Sequence, residues 1–488
     1  MEESRALLQV LEQENKPLDD AIASVDMTAF DQASVTSEAL ETLVMAIPLV
    51  LTSILEFLPF ATSVALVGHM DSPLTKEYVD ASSMSYLIIS VTGVSAGFGI
   101  MSALDTLCSQ SVGAGKLYNL GMYFQCGLIV MSVWFIPIFF LNWNAEAILT
   151  FLKQDPQIVA LAAPFNKVAV LGLPGLFLYE LMKKGLQAQG IVTPMVWIAA
   201  LDNVLFAVSG HWMCYHTSFG FYGAALARSV CYLLLPIFAY AYLMWNPVHK
   251  DWWPDNHPVA SQWKAAWDHV PEFLRLGVPG LFMLMMETFA FDLCQVMVGW
   301  MPNPVLSLSV VNVLANLNAQ IYGVYFGLSM ACTIRAIVKA SLLTILVLVT
   351  ILATIFLSVH QYLPHLFIRD AVAIEAVQNT LGAFIFFMCV DGINAICQSI
   401  MRGMGQQAMG ACVNAVAYYA VGLPLMAFFG FYCEWGVKGT WFGLALGILT
   451  SLSVYLLILY RTDWHQMAKE AVQRTETEHG HDVAEVKA

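Results

Sequence analysis

AIPLVLTSILE (Ala46–Glu56) and GVPGLFMLMME (Gly277–Glu287) are the stretches whose comparison decides the fold. Side by side they put Pro48 over Pro279 and Glu56 over Glu287. Continued without a gap, VGHM (Val67–Met70) falls on VGWM (Val298–Met301), and further along GFYG (Gly220–Gly223) meets GVKG (Gly436–Gly439). Several pairs at a nearly constant offset describe an internal repeat. Both copies lie in apolar runs too long for a buried soluble core helix, so the repeat unit is a set of membrane spans.

Composition agrees. Of 488 residues, 59% are hydrophobic and 11% charged, whereas a soluble domain carries about 25% charged residues. Disordered, collagen-like and disulfide-framework classes are excluded. A net charge of −14 argues against nucleic acid as a partner, because phosphate requires a basic face. The ten cysteines include no CxxC pair with metal spacing and read as small packing residues. Only Cys214 and Cys433 stand where a disulfide is conceivable.

Twelve apolar segments are predicted, near 40–66, 80–107, 119–141, 157–182, 193–214, 221–245, 272–300, 304–332, 336–359, 371–400, 408–430 and 437–460. The expected fold is an all-α polytopic membrane protein with twelve transmembrane helices in two six-helix bundles. Six crossings is an even number, so the copies share one orientation and form a parallel repeat, a transporter arrangement. The predicted organisation is an acidic N-terminal tail over 1–37, a first lobe over 38–245, an inter-lobe loop over 246–271, a second lobe over 272–461 and a tail over 462–488. The tryptophans of that loop read as interfacial. No basic stretch leads into an apolar one at the N-terminus, so no signal peptide is expected.

Lysine and arginine set the orientation. With the N-terminus inside, the cytoplasmic side collects Lys116, Lys183, Lys184, Lys250, Lys264, Arg275, Arg335, Lys339, Arg402 and Arg461, against Lys76, Lys153, Arg369 and Lys438 opposite. This roughly threefold bias puts both termini in the cytosol.

Carboxylates inside the spans are the functional signal, since each costs about 2.5–3.5 kcal/mol at the bilayer centre even on insertion scales. They are Glu56 in segment 1, Asp202 in segment 5, Glu287 and Asp292 in segment 7, and Asp391 in segment 10. None has a basic residue within one helical turn, so pairing along its own segment does not account for it. An apolar setting favours the neutral form of a carboxyl, which lets a proton and a cation compete for one place. Glu287 and Asp292 are about 140° apart around a helix and point to different surroundings. Structural hydrogen bonding is the competing reading for each acid, and function is favoured at Glu287 and Asp391. Asp105 reads as holding a helix end, Glu180 as a surface pair with Lys184, and Arg228 as having a partner within its lobe. Phe291, Tyr322, Tyr325 and Trp441 could offer faces to an organic cation, although most aromatics in such a chain pack. GAGK (Gly113–Lys116) lacks the spacing and hydroxyl of a P-loop.

The chain resembles the multidrug and toxic compound extrusion (MATE) family. SALDTLCSQSVGAG (Ser102–Gly115), LQAQGIVTPM (Leu186–Met195), RLGVPGLFMLMMETFAFD (Arg275–Asp292) and RGMGQQAMGACVNAVAYYAVGLPL (Arg402–Leu425) are similar to its motifs in order, and the likeness spans about 40–460. The resemblance implies export of organic compounds against inward H⁺ or Na⁺, with no cofactor and no enzymatic step. It implies a second-lobe cation site at Glu287, Asp292 and Asp391, with Asn316 at the polar position of segment 8. The segment 7 motif is of the proton-coupled eukaryotic type. Two departures stand out. The family usually has Gln where Glu56 stands, which adds a titratable group to the first lobe. It also continues after segment 8 with Arg-Val-Gly-Asn and a Gly-rich loop, whereas here Arg335 runs straight into IVKASLLTILV.

The expectation is therefore a monomeric antiporter for small organic cations, in the plasma membrane or a vacuolar or lysosomal membrane. A Na⁺-coupled carrier, an organic-anion exporter, a lipid flippase or lipid-handling enzyme, and a sensor that binds without transport are the rivals.

Overall fold

A computed structural model describes residues 33–467 apart from 153, 255–258, 336–337, 367–370 and 465. The two expected tails lie largely outside the described residues. Twelve long helices follow one another: α1 (Ala33–Gly68), α2 (Glu77–Gly113), α3 (Tyr118–Trp143), α4 (Pro156–Ala188), α5 (Thr193–Tyr215), α6 (Tyr222–Trp245), α7 (Val270–Val298), α8 (Pro304–Arg335), α9 (Val338–Val359), α10 (Ala371–Gly403), α11 (Gln407–Tyr432) and α12 (Gly436–Arg461). No strand occurs among the described residues. Eleven of these helices are long and apolar enough to cross a membrane. The remaining one is α8, where Asn312, Asn316, Asn318 and Gln320 dilute the apolar run. Helices α2, α4 and α11 carry local π or 3₁₀ turns, at Ser90–Ser95, Val170–Gly172, Ala415–Gly422 and Phe428–Tyr432. Cys214 and Cys433 are both free thiols.

The repeat reappears in backbone detail. Gly220 and Gly436 open α6 and α12 with φ of 50° and 58°, the left-handed region that glycine enters without a steric cost. Three residues later, Gly223 and Gly439 let each helix close on its predecessor. A Cβ there would lie 2.7 Å from the Met213 carbonyl oxygen and 2.4 Å from the Phe429 carbonyl oxygen.

The chain forms two compact units: residues 51–108 with 116–281, and the described residues up to 50 with 109–115 and 282 onward. The sequence alignment registers Val50 on Leu281, and the units divide α1 and α7 at these same two positions. Each unit therefore includes the opening turns of the other lobe's first helix, an exchange that the predicted boundaries at 38–245 and 272–461 do not contain. Within the first unit, the Cα of Leu281 would be 2.6 Å from a Cβ on Gly99; within the second, the Cα of Val50 would be 2.5 Å from one on Gly327. Both close crossings need a residue without a side chain.

The connection 246–271 is not merely interfacial. Trp252 is buried, its ring occupying the space a Cβ on Gly185 would need. The helix Val259–Asp268 packs on α3, where Gln125 donates to the Val259 carbonyl at 3.1 Å. Trp263 and Trp267 are exposed, as expected of interfacial rings.

Candidate functional site

In the second unit α10 is the central helix, packed on α8, α9 and α12. Asp391 and Gln398 are seven residues apart on it, two turns along one face. Asp391 is 2% exposed, and Glu287 on α7 is 7% exposed and within electrostatic range of it. Gln398 Nε2 donates to Glu287 Oε2 at 3.1 Å. Asn414 Nδ2 of α11 donates to Gln398 Oε1 at 3.2 Å and to the Met283 carbonyl at 3.1 Å. Met283 lies one turn before Glu287, so α11 grips the same face of α7. Tyr455 of α12 donates to Asn414 Oδ1 at 2.7 Å. The acid is thus held by a relay of neutral groups across four helices. Arg402 lies within electrostatic range of Glu287, and the buried Tyr418 within range of both acids, its hydroxyl oxygen without a hydrogen-bond partner among the described residues.

The first unit treats its acids differently. Lys183 Nζ of α4 contacts Glu56 Oε1 at 2.7 Å and Glu180 Oε1 at 2.5 Å. Lys184 pairs with Asp105 at 2.5 Å, and Arg228 with Asp202 at 3.0 Å. Arg228 also stacks on Tyr232, 3.9 Å from the ring centroid. The expected partner of Arg228 is therefore present. Pairing along its own segment does not account for Glu56 or Asp202, as expected, yet both are paired. Their partners come from other helices, which spacing along one segment cannot reveal. Glu180 is not half of a surface pair with Lys184; it is buried and bound to Lys183. Lys183 and Lys184, expected as cytoplasmic loop charges, lie within α4, so their bearing on orientation is removed.

A model of the MatE family matches residues 48–213. The chain is 28% identical over 443 residues to multidrug and toxin extrusion protein 1 of Mus musculus, covering 88% of this chain and 76% of that protein. It is 29% identical over 470 residues to Protein DETOXIFICATION 16 of Arabidopsis thaliana, covering 92% and 93%. The crystal structure of the eukaryotic MATE transporter AtDTX14 superposes with a TM-score of 0.80 at 23% identity, over 90% of this chain and all of that one.

In sequence and in fold the chain is similar to MATE transporters.

Of the residues that the MATE motifs single out, Glu287 and Asp391 come together. Asp292 is half-buried, within electrostatic range of Tyr419, and has no part in the hydrogen-bonded relay. Asn316 is exposed, its amide donating to the Asn312 carbonyl of its own helix at 2.7 Å. Glu56, the departure from the usual MATE glutamine, is in the first unit with Lys183. The second departure begins at 336–337, which lie outside the described residues. Two of the candidate aromatics pack: Trp441 is buried against Phe384 and Phe387, and buried Tyr325 donates to the Met388 carbonyl at 3.1 Å. Gln398, Asn414, Tyr455, Glu180 and Lys183 are not marked by the sequence as partners of the acids. An amide at two-turn spacing from Asp391 is the one available signal for Gln398.

Proposed function

We propose that this protein exports organic cations in exchange for protons, with Glu287 and Asp391 as the exchanging carboxylates. The observation that carries this reading is two buried acids of one unit within electrostatic range of each other, with a neutral amide rather than a cation bonded to Glu287. Two carboxylates so placed resist ionising together. The pair holds either a proton or a cationic substrate, and exchange of one for the other couples their movements. The Tyr418 hydroxyl beside the pair, without a partner among the described residues, supports a ligand or water at this place. Family likeness favours transport over catalysis, small organic compounds as substrates, and a multi-pass membrane location. Cytosolic termini, a monomeric carrier, and a plasma, vacuolar or lysosomal membrane complete the reading.

The test uses vesicles containing the purified chain and radiolabelled tetraethylammonium. An acidic lumen should drive accumulation, because protons leave as substrate enters, while a Na⁺ gradient at constant pH should do nothing. Accumulation indifferent to the pH gradient refutes proton coupling, and accumulation driven by Na⁺ replaces it with the alternative ion. Competition by organic anions in place of cations would reverse the charge class.

A further inference from the structure

Glu56 stands at the centre of the apolar part of α1, with twelve residues on either side in Val44–Gly68. A charge at that depth persists only where it is paired or reached by water. One ammonium, Lys183, serves both Glu56 and Glu180, so the cluster is one positive charge short. The surroundings add no net positive charge, because Lys184, within electrostatic range of Glu180, is paired with Asp105, and Arg228 with Asp202. Asp202 adds a second sign of the deficit: its Oδ1 is buried without a hydrogen-bond partner among the described residues, and the carboxylate lies within electrostatic range of Glu56. The members also differ in access. The side chains of Lys183 and Glu180 are 4% exposed, and that of Glu56 is 26% exposed. Tyr179 lies beneath Lys183, 5.5 Å from Nζ to the ring centroid, with its hydroxyl directed to Met195 Sδ.

We propose that Glu56 is a binding site for one monovalent organic cation, with Lys183 as a tethered counter-ion. When the cation arrives at the exposed edge of Glu56, Lys183 withdraws onto Glu180, and each carboxylate then faces one cation. When it leaves, Lys183 bridges both acids again, so Glu56 is never bare in the membrane. No bond is made or broken. The site rests on the reading of the chain as a cation exporter, and it lies in a different unit from Glu287 and Asp391.

The test is equilibrium binding of radiolabelled tetraethylammonium to the purified full chain, in a Glu287→Gln background that removes the other proposed site. Glu56→Gln leaves Lys183 and Glu180 balanced, so the fold is retained and a thermal melt confirms it. Binding should weaken about tenfold or more, the loss of one charge-assisted contact. Glu180→Gln is the decisive variant. Its side chain is buried away from the ligand, yet removing its charge gives Lys183 wholly to Glu56 and should weaken binding as much. If Glu180→Gln binds as its parent does, the counter-ion account is wrong; if Glu56→Gln does too, the site is absent. Wild-type vesicles separate the two readings. Transport driven by pH with binding indifferent to Glu56 overturns this inference alone, and Glu56-dependent binding without such transport overturns the exporter reading alone.

Discussion

Glu56 and Glu287 occupy one register of the repeat, eight residues after Pro48 and Pro279, yet they meet opposite partners. Glu56 is held by the Lys183 ammonium, and Glu287 by the Gln398 amide. The first shares one ammonium with a second acid, Glu180. The second is bonded to a neutral group beside another acid, and its charge state is open to exchange. A carboxylate in a span is thus not a function by itself; the neighbouring helices decide what meets its charge.

The contrast predicts unequal responses to substitution. Glu287→Gln or Asp391→Asn should bring pH-driven accumulation in vesicles down to background, because an amide cannot carry the exchanging proton, while thermal stability stays near that of the parent. Lys183→Met should do the reverse to the fold. It strands buried Glu180 and half-buried Glu56 and should lower stability by about 3 kcal/mol, the lower end of the usual cost of breaking a buried pair from one side, read as a lower melting temperature in detergent. If the two classes of variant behaved alike, the distinction between the units would fail.

Gln398→Leu sharpens the comparison. Gln398 donates to the charged form of Glu287, so its loss favours the protonated form, and the pH profile of transport should move to the alkaline side. A profile that stays in place, or moves to the acid side, would remove Gln398 from the exchange. The smallest effect belongs to a control outside both networks. Gly382 lies inside α10, and a Cβ added there would have nothing within 4 Å, so Gly382→Ala should stabilise by about 0.5–1 kcal/mol without altering transport.

Much of this is legible without the fold. The twelve segments, the repeat and the acids in apolar runs follow from local composition, because a span must satisfy its own backbone and pays visibly for each charge. The likeness to MATE motifs adds Glu287, Asp292 and Asp391 as the acids to watch. The ion pairs are not legible: Lys183 is 127 residues from Glu56, and Arg228 is 26 from Asp202. Nor is the setting of Asn316 legible, a polar residue of segment 8 whose amide donates to its own helix.

The amino-acid order alone determined that this chain crosses a membrane many times, that its halves repeat, and where the costly charges sit, since each depends on a window of about 20 residues. Tertiary packing decided which charge meets which. Helices far apart in the chain bring Lys183 to Glu56 and Gln398 to Glu287, and in a medium without water a contact of about 3 Å outweighs any property of the segment that carries the acid.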